Sequence, residues 1–308
     1  MARTLRTHVL HKYPGTSTMK IALIGAGKMG LPMAAHLAAA GHSLVVHDMA
    51  AARRAAAVAA GLPLAPGLAE ALREAEVIVS ALPDDAALLA VAEPLACGAR
   101  PGTVWIDTST VSLEASATAA AACAAHGLAY VRATVSGNNR MAEQAQLTVM
   151  ASGPCEAYAA VRPLLRCFGP TQFYLGEGEQ ARLMKLVINL MIAGTAGMLA
   201  EALTLGEKGG LDWRQMWEVI AASAVGSPIV QAKGESLRER DYTPTFTVDQ
   251  MQKDVGLMLA AGAGSDVPLP LTALVGQMLH AAVVQGDRAL DYAAVIRVHE
   301  RAAGLRPD

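Results

Sequence analysis

The 308-residue chain is poor in aromatic residues (4%), charged residues (17%) and cysteine (4 residues). Its 25 lysines and arginines are balanced by 27 aspartates and glutamates, which leaves a net charge of −2. A nucleic-acid-binding protein usually carries a basic surplus, so we expect no nucleic-acid partner. The cysteines at positions 97, 123, 155 and 167 show no CxxC or other ligand spacing. This predicts reduced thiols in a cytoplasmic protein.

Several catalytic motifs are missing as well. The chain has no HExxH, GxSxG or P-loop GxxxxGK[ST] sequence, and its eight histidines form no ligand pattern. The sequence therefore argues against a metal site and against a serine nucleophile.

Long hydrophobic runs are also scarce. The most apolar stretch, 186–200, lies between Lys185 and Glu201 and is shorter than the ~20 residues that span a bilayer. It predicts a buried helix and no membrane association. Residues 1–18 lack the apolar core of a signal peptide and contain no acid. We interpret them as a disordered extension before a natural start at Met19.

What the chain does contain is abundant apolar material, 53% of its residues, in two successive patterns. Short apolar strands first alternate with Ala-rich helices, which predicts parallel βαβ units in a doubly wound sheet. Helical periodicity alone follows from about residue 180. We therefore predict an α/β Rossmann-type NAD-binding domain at 19–178 and an all-helical C-terminal domain at 179–308, begun by a long linking helix. The predicted strands are 20–24, 43–47, 76–80, 103–106, 128–131, 147–151 and 171–174.

The first predicted strand runs into a glycine-rich turn. Gly25-Ala26-Gly27-Lys28-Met29-Gly30 reads GxGxxG and opens a helix. The first glycine permits a tight turn, the second lets the backbone approach a pyrophosphate, and the third allows close helix–strand packing. At the start of a βαβ unit, this pattern predicts dinucleotide binding.

An acidic residue, Asp48, ends the second predicted strand. A carboxylate there can accept the adenosine ribose hydroxyls and repel a 2′-phosphate, which favours NAD over NADP. The alternative is an ordinary strand-end or helix-capping aspartate.

Seven further segments, in order along 19–300, resemble the β-hydroxyacid dehydrogenase family, which includes the 3-hydroxyisobutyrate dehydrogenases. The match covers nearly the whole chain. The segments are Leu31-Pro32-Met33-Ala34 after the glycine turn, Ala81-Leu82-Pro83-Asp84, Asp107-Thr108-Ser109-Thr110, Thr134-Val135-Ser136-Gly137-Asn138, Gly176-x-Gly178 with Lys185 and Asn189, Phe246 with Lys253-Asp254, and Asp291-Tyr292-Ala293-Ala294-Val295.

The resemblance implies hydride transfer between nicotinamide and the C3 alcohol of a small β-hydroxy acid. It assigns Lys185 as the catalytic acid/base and Asn189 as the residue that orients substrate and lysine. It implies that Ser136 and Gly137 hold the substrate carboxylate beside Asn138. Cofactor contacts are implied for Leu82, Pro83, Thr110 and Lys253.

The chemistry of Lys185 and Asn189 agrees with this assignment. The two residues are four apart, so they share one helix face. Oxidation of an alcohol needs a group that takes the hydroxyl proton. Partial burial near a positive nicotinamide should lower the pKa of the lysine towards neutrality. The alternative is a surface-reaching lysine at a helix start and a helix-surface asparagine.

Two positions depart from the family pattern. Asn138 stands where the family has a second glycine, and Arg132 stands where it has aspartate. Asn138 adds bulk and an amide beside the expected carboxylate site, so the substrate is expected to differ from the familiar ones. The alternative for 136–139 is an ordinary turn.

Two rival functions stay open from the sequence: an imine reductase-like enzyme and a non-enzymatic dinucleotide-binding module. Lys185 argues against both. The long apolar helix predicts a homodimer or homotetramer, because its apolar faces need cover on two sides. Met184, Met191 and Met198, spaced by seven, are predicted to pack between helices.

Overall fold

The computed structural model describes residues 18–305, apart from the side chain of Glu235. The predicted N-terminal extension lies outside the described residues except for Thr18. The chain divides into two compact units between Lys185 and Leu186.

The first unit is built on a seven-stranded sheet with the order β2-β1-β3-β4-β5-β6-β7. The strands are β1 (Lys20–Ile24), β2 (Ser43–His47), β3 (Val77–Ser80), β4 (Val104–Asp107), β5 (Ala129–Ser136), β6 (Thr148–Ser152) and β7 (Thr171–Tyr174). The helices are α1 (Gly30–Ala39), α2 (Ala51–Ala59), α3 (Leu68–Leu72), α4 (Asp85–Gly98), α5 (Leu113–Ala125), α6 (Asn139–Glu143) and α7 (Cys155–Leu165).

Both faces of this sheet are buried. On β1, Ile21 and Leu23 belong to one hydrophobic cluster, and Ala22 and Ile24 belong to the other. Successive strand side chains point to opposite faces, so a strand covered on both sides must be apolar throughout. The two clusters place helices on both faces of the sheet. The predicted Rossmann-type unit followed by a helical unit is thus confirmed.

The sheet is parallel only from β1 to β5. Strand β6 pairs antiparallel to β5, and β7 runs parallel to β6. The predicted doubly wound parallel sheet is confirmed from β1 to β5, and β6 and β7 depart from that direction. The cause is the short connection 137–147, which holds only the one-turn helix α6, whereas a parallel crossover needs a dozen or more residues.

The second unit consists of helices. They are α8 (Gln180–Lys208, which contains the division between the units), α9 (Trp213–Ala222), α10 (Pro228–Arg238), α11 (Val248–Gly264), α12 (Pro270–Val284), a 3₁₀ turn (Tyr292–Val295) and α13 (Ile296–Ala302). Helix α11 begins at a capping box, in which the Thr247 hydroxyl and the Gln250 side chain each bind the other's backbone N–H.

Helix α8 has one buried stripe and one exposed apolar stripe. Leu186, Ala193 and Ala200 recur every seven residues and are 1–3% exposed. The exposed stripe consists of apolar side chains with 38–75% of their surface accessible: Met184, Val187, Met191, Met198 and Leu205. The methionines therefore do not pack in the core of the single chain.

By length and composition, α8 is also the one helix among residues 18–305 that could cross a membrane. Of its most apolar window, 33% is buried. The core helix of a globular protein passes the same test, so the length and composition of α8 fit a core helix as well as a membrane-spanning helix.

Candidate active site

The glycine-rich turn lies at the carboxyl end of β1, where close contacts require glycine at two positions. Gly25 has φ +96, and a Cβ there would lie 2.4 Å from the Ala81 carbonyl oxygen. A Cβ on Gly30 would lie 2.0 Å from the Gly25 carbonyl oxygen. At Gly27 the nearest atoms to such a Cβ belong to the Arg53 guanidinium, 3.9 Å away. The backbone is thus tightly packed at Gly25 and Gly30 and open at Gly27, where a phosphate would approach.

Asp48 follows β2 and is 6% exposed. Its Oδ2 accepts the Ala26 backbone N–H at 2.8 Å, and its Oδ1 accepts the Ala50 N–H at 2.8 Å. The carboxylate therefore joins the end of β2 to the glycine turn. Each oxygen has a second lone pair, so the group retains acceptor capacity for ribose hydroxyls. Lys28 is exposed and Met29 is half-buried at the start of α1.

Two arginines lie beside Asp48, one near its carboxylate and one on the backbone. The Arg53 Nη1 lies 3.7 Å from Asp48 Oδ2, and the Arg53 side chain is 48% exposed. Arg54 donates to the carbonyl oxygens of Asp48 and Met49 at 3.0 and 2.6 Å. Arg54 therefore fixes the loop after β2, while Arg53 stands between the acid and solvent.

The predicted cofactor contacts of the first unit meet at the carboxyl ends of β3 and β4. The Leu82 N–H donates to the Ser109 hydroxyl at 2.9 Å, which ties the Leu82-Pro83 segment to the 108–110 loop. Leu82 and Thr110 are half-buried, and Pro83 is exposed. Gly25 packs against Ala81, so the glycine turn adjoins this pair of segments.

The predicted substrate loop begins where β5 ends at Ser136. Ser136 is half-buried, and Gly137 is exposed with φ +138. Asn138 caps α6, because its side chain accepts the Met141 backbone N–H at 3.0 Å. The amide oxygen of Asn138 thus has a local structural role. This role agrees with the alternative interpretation of 136–139 as an ordinary turn.

The second departure, Arg132, has a partner in the structure. Its Nη2 donates to Glu179 Oε1, and its guanidinium lies 5.0 Å from the centre of the Tyr130 ring. Arg132 is 6% exposed, so this pair is largely removed from water. The position that the family fills with aspartate here holds the segment before α8.

Lys185 is half-buried on α8, one turn before Asn189. Asn189 is 4% exposed, and its Nδ2 donates to Asp254 Oδ2 at 2.6 Å. The Lys253 Nζ lies 2.8 Å from Asp254 Oδ1. Helices α8 and α11 therefore bring Asn189, Asp254 and Lys253 together, and the fully buried Asp254 orients the amide of Asn189.

One buried polar cluster was not predicted from the sequence. Arg182, 1% exposed, donates to the Asp107 carboxylate and to the Ser109 carbonyl oxygen. Arg182 stands before the apolar stretch 186–200 and close to Glu179 and Lys185, so its sequence context gives no signal of its burial. Nothing in the sequence pairs it with Asp107, 75 residues away. The buried Asp254 was part of a recognised motif, but no role had been assigned to it.

Two family profiles cover most of the chain. One, described as the NAD binding domain of 6-phosphogluconate dehydrogenase, matches residues 20–176. The other, described as NAD-binding of NADP-dependent 3-hydroxyisobutyrate dehydrogenase, matches residues 179–299. These matches and the glycine turn define the chain as an NAD(P)-dependent oxidoreductase.

Individual relatives narrow this class. The 2-(hydroxymethyl)glutarate dehydrogenase of Eubacterium barkeri is 32% identical over 292 residues, which cover 94% of this chain and 97% of that protein. The NAD-dependent L-serine dehydrogenase of Pseudomonas aeruginosa is 30% identical, with 92% and 99% covered. The structure of Mycobacterium tuberculosis 3-hydroxyisobutyrate dehydrogenase with L-serine superposes with a TM-score of 0.85 at 29% identity, with 92% and 99% covered. The chain belongs to the β-hydroxyacid dehydrogenase family, as its motifs predicted.

Proposed function

We propose that this chain is an NAD(H)-dependent dehydrogenase that oxidises the C3 alcohol of a small, 3-hydroxyisobutyrate-like β-hydroxy acid, with Lys185 as the acid/base. The observation that carries the proposal is the setting of Lys185. It is half-buried one helical turn from Asn189, whose amide Asp254 holds in one orientation. A lysine that only reaches solvent from a helix start would not require a neighbouring amide held in one orientation.

The first unit supports binding of the cofactor. The open backbone at Gly27 and the start of α1 offer N–H groups to a pyrophosphate. Residues 25–30 would form this cradle, and Leu82, Pro83 and Thr110 would border the same crevice. Lys253 is assigned to the cofactor by family resemblance. When bound, the nicotinamide supplies the hydride acceptor.

Preference for NAD rests on Asp48. The carboxylate would accept ribose hydroxyls with its remaining lone pairs, and its charge would repel the 2′-phosphate of NADP. Its nearly complete burial strengthens both effects, since water screens a buried charge poorly.

The proton step belongs to Lys185. In oxidation, the neutral amine takes the hydroxyl proton while the C3–H bond breaks, and in reduction the ammonium returns it. The side-chain oxygen of Asn189 would accept a hydrogen bond from the lysine or the substrate, because its nitrogen is held by Asp254. The Ser136 hydroxyl and the Gly137 N–H would hold the substrate carboxylate, with Asn138 beside them.

We further propose a homodimer or homotetramer in the cytoplasm. The exposed stripe of α8 supports the oligomer, because burying contiguous apolar side chains against a second surface lowers the free energy.

The test compares Lys185→Met, Lys185→Arg and the control Lys208→Met, which removes a lysine from the far end of α8. We expect Lys185→Met to lower kcat by ~10²–10⁴-fold, the usual contribution of general acid–base catalysis. Lys185→Arg should lower kcat almost as much, because a guanidinium does not release its proton near neutrality. NAD affinity should be nearly unchanged in all three variants, and Lys208→Met should keep its kcat. Near-normal turnover in Lys185→Arg would exclude the proton-transfer role.

A further inference from the structure

The first turn of α8 is attached to the sheet of the first unit by a buried cation. Arg182 Nη2 reaches the Asp107 carboxylate and, at 3.0 Å, the Tyr130 hydroxyl. Its Nη1 donates to the Ser109 carbonyl oxygen, and its Nε donates to the Ser116 hydroxyl at 3.2 Å. The guanidinium therefore donates to four acceptors, which lie on β4, β5, α5 and the 108–110 loop.

Asp107, at the carboxyl end of β4, is the centre of this cluster. Its Oδ1 accepts the hydroxyls of Ser80 and Ser109, each at 2.6 Å, and its Oδ2 accepts the Tyr130 hydroxyl at 2.9 Å. Asp107 and Ser80 are 0% exposed, and Ser109 and Tyr130 are 3% exposed. Burial and the Asp107 charge raise the pKa of Tyr130 well above its usual value, so the phenol stays a donor. The cluster is buried, and each of its polar side-chain atoms takes part in at least one hydrogen bond.

Other contacts hold the same turn of α8. The Ala181 N–H donates to the Ser152 hydroxyl at 3.1 Å, and its carbonyl oxygen accepts the Thr134 hydroxyl at 2.9 Å. The Glu179 carboxylate accepts from Arg132. These contacts fix the position of the helix end, and the forked contact of Arg182 also fixes its rotation about the helix axis.

Stability alone is a weak reason for the Arg182–Asp107 pair. Removing two charges from water costs free energy that apolar side chains of the same size avoid, and such replacements are often neutral or stabilising. What the planar, multidentate guanidinium provides is geometry. Lys185 follows Arg182 by three residues, about 4.5 Å along the helix, so a rotation of the first turn displaces its amine.

We infer that Arg182 and Asp107 are positioning residues, which set the orientation of the first turn of α8 and thereby place the Lys185 amine for proton transfer. This rests on the proposed role of Lys185. All three residues belong to the first unit. Since catalysis is sensitive to displacements of about 1 Å, the buried pair determines kcat without touching substrate.

The test uses the double variant Arg182→Met with Asp107→Asn. Methionine keeps an apolar stem, and asparagine keeps an oxygen for the Ser80 and Ser109 hydroxyls, so no unpaired charge is left in the interior. The matched control is Arg297→Met with Asp287→Asn, which removes a pair of the same residue types with a 2.5 Å contact in the second unit. Melting temperature, dissociation constant for NADH, KM and kcat per folded enzyme are measured.

We expect kcat of the first double variant to fall ~10–100-fold, with the NADH dissociation constant within about threefold of normal. The control should keep its kcat. In a Lys185→Met background the same double change should lower kcat less than about twofold, because the pair acts through the lysine. An unchanged kcat with only a lower melting temperature would overturn the inference, as would an equal fall in both backgrounds.

Failure of the proposed function is distinguishable from failure of this inference. If Lys185→Met alone keeps its turnover, the acid/base role is wrong, and the positioning role is wrong with it. If Lys185→Met is inactive and the Arg182–Asp107 variant is fully active, the acid/base role stands and only the inference is lost.

Discussion

At the scale of single residues, this chain uses buried carboxylates to organise backbone and side chains. Asp48 accepts two backbone N–H groups, Asp107 accepts hydroxyls and a guanidinium, and Asp254 accepts the amide of Asn189. Each is at most 6% exposed. A buried carboxylate is costly unless its lone pairs are occupied, so each one holds its neighbours in a defined geometry.

We expect Asp48→Asn to raise the KM for NAD and to reduce the ratio of kcat/KM with NAD to kcat/KM with NADP. Loss of one charge-assisted hydrogen bond costs about 1.5–3 kcal/mol, which corresponds to a KM roughly tenfold higher or more. The neutral amide also leaves Arg53 available to a 2′-phosphate. Adding Arg53→Ala should therefore abolish any increase in kcat/KM with NADP, while the KM for NAD stays raised.

Steady-state kinetics with both cofactors test this prediction, and the melting temperature reports whether the turn at Ala26 survives. A wild-type enzyme that already prefers NADP would contradict the argument from Asp48.

At the scale of elements, the short helix α6 gives Asn138 a role that the sequence alone left open. Glycine at an N-cap costs only a few tenths of a kcal/mol relative to asparagine, so Asn138→Gly should keep the helix. We expect this change, which restores the family loop, to shift relative kcat/KM among β-hydroxy acids by about tenfold, or ~1.4 kcal/mol.

Asn138→Asp is the companion variant. It keeps the cap on α6 but adds a negative charge beside the proposed carboxylate site, so KM should rise for every β-hydroxy acid. A panel of acids assayed by NADH absorbance measures both effects. If both variants show the wild-type selectivity profile and KM values, Asn138 lies outside the substrate pocket.

The elements also show where pattern-based prediction works. The predicted strands 20–24, 43–47 and 171–174 agree with the structure at both ends, because glycines stand close to those ends, and the long linking helix begins at Gln180, where helical periodicity was predicted to start. The five-residue helices α3 and α6 were missed, since one turn is too short to show a period.

At the scale of the whole molecule, the exposed stripe of α8 leads to a prediction about assembly. We expect the wild-type chain to elute as a multiple of 31.9 kDa. The double variant Met191→Glu with Met198→Glu should elute closer to the mass of a single chain, because association would then bury two charges in the contact.

Light scattering coupled to size-exclusion chromatography measures this shift. The control is Val58→Glu, on α2, which places one charge at a side chain that is also exposed (59%) but stands outside the stripe. It should elute like the wild type. A monomeric wild type would refute the proposed oligomer.

Local sequence determined much of this protein. The glycine turn, the alternation of strands and helices and the change to helical periodicity near 180 arise from steric limits and from apolar periods, which depend on neighbours in the chain. The same locality put Lys185 and Asn189 on one helix face, and the ordered motifs identified the family.

Only the tertiary structure decided which distant residues meet. The Arg182–Asp107 pair, the Arg132–Glu179 pair and the Asn189–Asp254 contact join residues 47 to 75 positions apart. Such partners are selected by the order and direction of strands and by helix packing, and a hydrogen bond across that distance leaves no period in the sequence. The antiparallel β6 and the exposed methionines of α8 likewise depend on how whole elements pack, which no local pattern encodes.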